Sequence, residues 1–449
     1  MMEEQVPSFP TYVTGPVWGA ILILVLIWVW RLRDSCSSFL LLATWFRYCI
    51  GTFHQYTYPP IVFGLSPIAL TSIAMVAVGL VVVGARALFL RRLTPFYIMI
   101  AIVLISAIAN QAWFGGINAT FKWLYLIVFA LAAYGAMRRR GSERIFRALA
   151  VIFAGPIALQ GISVPWGLKT TTTDGVSSFI GGYQHQQSLA IILLTFLFVT
   201  CLSAQLSAIA ISGRLAIVTV GLALANYRTA LVAAGLPAAS LIVSRLVTKV
   251  VPKQRNIAFV LASVVTVFAL VGVANEGRER FADLGTILDK GASLIQPSSY
   301  FTSDDRRLIS SRLYLWSQYI ESYLDGDIRN IVIGFGPESW VERFTTYAHN
   351  TFISYLYELG LFGAAAFLWI LISNLSSAMR VRSKRKLILI SCHIGFVILN
   401  LSTMALWTLE GAILYGLVLG YTWYLQSVGS RWCEALESPD PPAADMARQ

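Results

Sequence analysis

The histidine with the most informative neighbours is His349, in Tyr347-Ala348-His349-Asn350-Thr351, where a long polar stretch turns back into an apolar run. If that run is a helix, its start gathers unpaired N–H groups and the positive end of the helix dipole. Such a place attracts anions and disfavours an imidazolium, so the ring stays neutral and able to take a proton near pH 7. A capping or interfacial histidine is the alternative. Arg228, in Asn226-Tyr227-Arg228-Thr229, and Arg312, in Ser311-Arg312-Leu313-Tyr314-Leu315-Trp316, supply the complementary chemistry. Arginine's planar fork matches two phosphate oxygens at once. Two arginines and a helix start on one face would make a pyrophosphate site; a salt bridge to nearby carboxylates is the rival for each arginine.

Other motifs carry less. Asp325-Gly326-Asp327 has the look of a metal-binding carboxylate pair but reads as a turn. Gly334-Phe335-Gly336-Pro337 is a turn signal, not a phosphate loop, because no Lys-Ser/Thr follows. The sequence has no Gly-x-Ser-x-Gly, His-Glu-x-x-His or ATP-binding motif, so energy must arrive with the substrate. Five scattered cysteines without CxxC spacing predict no disulfide framework and no zinc. The acidic N-terminus (Glu3, Glu4) does not resemble a cleaved signal peptide.

The elements that must position these residues are membrane spans. The chain is 57% hydrophobic and 12% charged, against about 25% charged for a soluble domain. So little charge cannot cover a water-facing surface of this size, which excludes a soluble enzyme, a fibre and a disordered chain. The net charge of +12 then reports topology rather than nucleic-acid binding. Apolar runs of spanning length fall near 15–31, 37–53, 66–85, 94–111, 119–137, 145–163, 186–206, 208–225, 228–246, 256–274, 351–374, 387–406 and 409–427. The second is the weakest, being short and carrying Arg47, so the expected count is 12–13.

Alternating these spans puts 21 basic residues in loops on one side, while the short loops of the other hold Lys122, Lys169 and Arg228. The basic side is cytoplasmic by the positive-inside rule. Residues 275–350 are then external. This loop of 76 residues holds 11 of the 22 acidic residues and is too long for a connector. Within it, Leu313, Trp316, Ile320, Tyr323 and Leu324 recur at helical spacing, an amphipathic helix suited to a membrane surface. The loop's other arginines (Arg278, Arg280, Arg306, Arg307, Arg329, Arg343) read as solvated pairs. His54, His185 and His349 map to the external side, whereas His393 lies near Arg385 and Lys386 and reads as a packing residue. The expected fold is an all-α polytopic membrane protein with one large, partly helical external loop. Its parts are ten spans (1–274), the loop with the active-site residues (275–350), three spans (351–430) and a disordered cytoplasmic tail (431–449).

The run Ser311-Arg312…Trp316, Gly334-Phe335-Gly336-Pro337 and Ala348-His349-Asn350…Tyr355…Glu358-Leu359-Gly360…Gly363 resembles the O-antigen ligase and polymerase superfamily. Arg228-Thr229 after an Asn-Tyr pair looks like that family's arginine ahead of the large loop, and Gly182 to Ala190 looks like its earlier glycine-to-alanine motif. There the family usually shows asparagine, and this chain has Gln184, His185, Gln186 and Gln187. The resemblance covers about 180 to 370 and implies a metal-independent glycosyltransferase of the bacterial inner membrane, without a cofactor, acting at the periplasmic face.

The donor implied is a glycan on undecaprenyl diphosphate, and the acceptor a lipid-linked glycan or lipid A-core. Membrane lipids and a chain-length regulator are the further partners, with no nucleic acid. By this analogy His349 deprotonates the acceptor hydroxyl, Arg228 and Arg312 hold the diphosphate, and attack at C1 inverts the anomeric centre. Asn350, His185, Gln187 and Tyr347 complete the expected substrate-binding set. The external patch Arg47…His54-Gln55-Tyr56-Thr57-Tyr58-Pro59 suits a sugar-binding rim and favours a polymerase of O-antigen or exopolysaccharide repeats over a ligase. A polysaccharide or lipid transporter would instead favour inverted repeats with mid-membrane sites, and its chemistry would not gather on one face.

Overall fold

The computed structural model describes residues 6–61, 65–171, 177–249, 254, 290–294, 296–308 and 311–437. Among the described residues, regular structure is helical apart from one antiparallel pair of two-residue strands, β1 (Thr170–Thr171) and β2 (Ser177–Ser178). The first half of the chain gives α1 (Thr11–Leu32), α2 (Ser35–Gly51), α3 (His54–Thr57), α4 (Pro67–Val83), α5 (Ala85–Leu88), α6 (Thr94–Ala109), α7 (Trp113–Arg140), α8 (Ser142–Ile152) and α9 (Ala154–Ser163). Then come α10 (Gln186–Leu202), α11 (Ala208–Leu224), α12 (Arg228–Lys249), α13 (Arg312–Leu324), α14 (Ile328–Ile333), α15 (Trp340–Arg343), α16 (Thr351–Met379), α17 (Lys386–Ser402) and α18 (Leu409–Glu437).

Among the described residues, six stretches are long and apolar enough to cross a membrane: Thr11–Leu32, Arg91–Ala109, Trp113–Arg140, Ser142–Ser163, Arg228–Val247 and Thr351–Met379. The apolar helices α4, α10, α11 and α17 are shorter. The chain is an all-α polytopic membrane protein. Every expected span falls on helix except 256–274, which lies outside the described residues, as does 275–289 of the large loop. Two boundaries differ from expectation. Helix α7 begins at Trp113, so Lys122 stands within the helix and not in the loop before it. Helix α18 runs to Glu437, past position 431 where a disordered tail was expected.

The two ends of the bundle differ in chemistry. At one end, Arg139 at the close of α7 pairs with Asp34 (2.7 Å), Arg140 donates to the Arg33 carbonyl and Arg385 to that of Cys201. Glu143 accepts from Ser203 at this end. At the other end, the starts of α7, α10, α12, α16 and α18 meet the large loop. Asn110 donates to the Gly334 carbonyl (3.1 Å), and Thr351 to Asn400 and the Thr403 carbonyl. The weak second span, α2, reaches from Asp34 at the first end to Gly51 beside Tyr183 at the second. It therefore runs the length of the bundle.

Arg47 explains how α2 tolerates a charge. Its guanidinium grips Glu410 of α18 with two parallel hydrogen bonds of 3.0 and 3.1 Å, and the glutamate is fully buried. A buried carboxylate demands such a partner. Arg47 thus points into the bundle and not into the external rim expected of it. Small residues close the helix packing: a Cβ at Gly420 of α18 would stand 2.6 Å from Ala133 and 2.7 Å from the Ala130 carbonyl of α7. Such close backbone approach substitutes for a hydrophobic driving force inside lipid.

The described part of the large loop packs on the start of α16 around Leu315, Tyr319, Tyr323, Ala348 and Tyr357. Helix α13 buries Leu315, Tyr319 and Tyr323, an i, i+4, i+8 stripe, whereas Ile320 and Leu324 face outward. Ile320 and Leu324 belong to the face expected on a membrane surface, whereas Tyr323, counted with that face, is buried inside the protein. Arg306 donates to the Phe301 carbonyl, Arg329 to that of Ala109, and Arg343 stacks on Phe335, so these loop arginines act on backbone and rings in place of the solvated pairs expected. Asp327 caps α14 through the Asn330 N–H (2.8 Å), as a turn reading of Asp325-Gly326-Asp327 requires.

Candidate active site

The glycines flanking the loop set the frame of the site. Helix α16 breaks at Gly360, whose φ of 66° is left-handed, and the backbone of Gly334–Gly336 fills the gap. Phe335 donates to the Tyr357 carbonyl and Gly336 to that of Glu358, both at 3.0 Å. A Cβ on Gly360 would meet the Val332 carbonyl at 2.5 Å, and one on Gly334 would meet the Glu358 backbone at 2.2 Å. Only glycine allows these two backbones to touch.

His349 sits in the turn just before α16, with a left-handed φ of 50°. A non-glycine residue there is uncommon and persists only where its surroundings hold it. Those surroundings are the residues of α13. Trp316 Nε1 donates to the Ala348 carbonyl (2.8 Å) and the Tyr319 hydroxyl to that of Thr346 (3.0 Å). The same helix begins with Arg312, whose charge bears on His349, Tyr347 and Tyr227. Burial and the neighbouring Arg312 guanidinium hold the His349 imidazole down at about 4. The ring is therefore neutral at physiological pH. Neither of its nitrogens has a hydrogen-bond partner among the described residues, and the same holds for the Arg312 guanidinium.

Aromatic rings complete one side of the turn. Tyr347 lies on His349 with ring centroids 4.0 Å apart and packs against Trp407 at 5.1 Å and Trp340 at 6.0 Å. Its hydroxyl donates to Gln187 Oε1 (3.4 Å), and Gln187 Nε2 donates to the Met404 carbonyl (3.2 Å). Burial raises the phenols of Tyr347 and Tyr227 above their ordinary value while Arg312 pulls both back. Arg228 opens α12 immediately after Tyr227 and has an interaction partner of its own.

The structure thus brings His349, Tyr347, Gln187 and Arg312 together, with Arg228 one residue from Tyr227. Two expectations need revision. Asn350 does not offer its side-chain oxygen to the histidine or to a sugar. That Oδ1 accepts from the N–H groups of Phe352 (2.9 Å) and Ile353 (3.2 Å), the ordinary duty of an asparagine ahead of a helix. Those N–H groups are consequently not free for an anion. His185 faces His54, whose Nδ1–H donates to the Gly182 carbonyl (3.1 Å), and both imidazoles are held below their ordinary value by burial. His54 is buried beside α10 and does not form an exposed rim. His393 is a packing residue, bonded to Thr422 (2.9 Å) and set edge-on to Tyr415.

Residues 213–368 match the family model described as O-antigen ligase. Over those residues the match agrees with the resemblance to the O-antigen ligase and polymerase superfamily. No curated protein matches the chain. The O-antigen ligase segment contains Arg228, Arg312, Tyr347, His349 and Asn350, so the arginines and the neutral histidine all stand within it, whereas His185 and Gln187 precede it. The match supports a glycosyltransferase of the O-antigen ligase and polymerase type in general, set in a multi-pass membrane fold. Three residues around this ligase-family site were not singled out from the sequence: Tyr227, Trp407 and Glu338. Only Tyr227, next to Arg228, carried a local signal.

Proposed function

We propose that this protein transfers a glycan from undecaprenyl diphosphate to an acceptor hydroxyl at the periplasmic face of the bacterial inner membrane, inverting the anomeric centre and using no metal. The observation that carries this reading is a half-buried imidazole held neutral beside the Arg312 cation. His349 takes the acceptor proton as its oxygen bonds to C1, and the C1–O bond to diphosphate breaks. Arg228 and Arg312 hold the charge that develops on the leaving diphosphate, which is where fixed donors lower a barrier most. Asn350 keeps the turn in place by capping α16, and Gln187 fixes Tyr347 against the histidine.

The first reading of the acceptor is the next lipid-linked repeat unit, which makes the enzyme a polymerase of O-antigen or exopolysaccharide working with a chain-length regulator. A second reading, transfer to lipid A-core, is favoured by the description of the matched family, O-antigen ligase. It gains ground because Arg47 and His54, part of the patch that suggested a polymerase, turn inward. The test is transfer by the purified protein from lipid-linked repeat units with chelator present, with and without lipid A-core, the product's anomeric configuration being read by NMR. Retention of configuration, or a strict need for divalent metal, would overturn the mechanism. Orientation is tested by cysteines introduced at 142 and 300 and labelled with an impermeant maleimide in spheroplasts, where only position 300 should react.

A further inference from the structure

Beside the His349 turn, a small open cleft lies between α7, the loop segment Pro337–Glu338 and the chain before α18. Its walls include Lys122, Glu338, Thr351, Tyr355 and Trp407. Glu338 is held there with a left-handed φ of 61°. One of its carboxylate oxygens, Oε1, accepts from Lys122 (3.1 Å), Trp407 Nε1 (3.3 Å) and Asn118. The other, Oε2, has no partner among the described residues, although the side chain is only 24% exposed. Trp340 stands behind this wall, its ring meeting Trp407 edge-on at 5.3 Å. Trp407 also carries the Lys122 ammonium over its face at 5.0 Å and packs against Tyr347, which lies on His349.

An aromatic wall with a half-satisfied carboxylate is the chemistry that recognises a pyranose. The C–H face of the sugar packs on the ring, and a hydroxyl donates to the carboxylate. We propose that this cleft is the acceptor-saccharide subsite, with the acceptor's terminal pyranose on Trp407 and one hydroxyl donating to Glu338 Oε2. Arg312 approaches His349 as a cation suited to the donor's diphosphate, and the aromatic wall reaches the same ring through Tyr347. The base therefore stands where acceptor hydroxyl and donor C1 must meet. This assignment rests on the glycosyl-transfer reading above.

The test uses the full chain in detergent and two probes measured separately. These are undecaprenyl diphosphate, and the lipid-free saccharide released by mild acid from the host's own lipid-linked repeat units. Glu338→Gln and Trp407→Ala should each weaken saccharide binding at least about tenfold, the loss of a hydrogen bond to a charged group or of a stacking face. Both should leave undecaprenyl diphosphate binding unchanged. Trp407→Phe keeps a ring and should retain most of the saccharide affinity, which separates loss of stacking from loss of fold. Wild-type saccharide affinity in the Glu338→Gln and Trp407→Ala proteins would overturn the subsite. So would an equal loss of both probes, because the wall would then serve the donor or the fold as a whole. If the wild-type protein fails to bind undecaprenyl diphosphate at all, it is the glycosyl-transfer reading that falls.

Discussion

Replacing Arg312 should do two separable things. On the proposed mechanism its guanidinium holds diphosphate oxygens, and charged hydrogen bonds contribute about 1.5–3 kcal/mol. At 1.36 kcal/mol per factor of ten, Arg312→Ala should lower kcat/KM by about ten- to 150-fold. The same cation also helps hold His349 down at about 4. Removing it raises the imidazole toward its ordinary value of 6.5, though burial, the larger influence, keeps it below that. The acid limb of the pH profile belongs to protonation of the base, so it should move upward in Arg312→Ala. The variant would then lose activity at a pH where the wild type is still fully active. Arg312→Lys restores the charge without the fork, so its limb should stay near the wild-type position while its rate remains low. The assay is initial transfer rate from lipid-linked repeat units between pH 4 and 8 for all three proteins. A wild-type rate and an unmoved limb in Arg312→Ala would refute both roles.

Breaking the buried Arg47–Glu410 pair by Glu410→Gln should cost about 3–5 kcal/mol because it strands a buried guanidinium, seen as a lower thermal unfolding temperature; replacing both residues by leucine should recover most of it. Gly360→Ala forces a Cβ to within 2.5 Å of the Val332 carbonyl at a left-handed φ, so it should unseat the loop from α16, exposing it to limited proteolysis and abolishing transfer. Asn350→Ala removes the α16 cap at a cost of about 1 kcal/mol; Asn350→Asp, which can still cap, should restore stability and most activity. Activity lost in Asn350→Asp despite restored stability would assign the side chain a direct part in transfer.

The spans and their alternation could be read in the sequence because lipid imposes long apolar runs and basic flanks, and twelve of the thirteen runs coincide with described helices. His349 drew notice where a polar stretch meets an apolar run, and Arg312 where an amphipathic segment opens. What escaped were partnerships across the chain. Arg47 and Glu410 are 363 positions apart, and Trp407 and Glu338 are 69 apart, so nothing local linked them. Apolar residues populate both faces of α13, and only the start of α16 decides that Leu315, Tyr319 and Tyr323 are the ones buried inside the protein. The cap at Asn350, by contrast, followed a rule that could have been applied to the residue ahead of a helix.

The central claim is that a neutral His349 takes the acceptor proton. General-base help is worth about 10²–10⁴-fold, so polymer or ligated product formed by purified His349→Ala, inserted and folded as the wild type, should fall by that factor. His54→Ala, His185→Ala and His393→Ala, assayed alongside, should keep far more activity, because His54 is bonded to the Gly182 carbonyl, His185 stands with it ahead of α10, and His393 is buried against Thr422. Full activity in His349→Ala, with loss in one of the other three, would contradict the account.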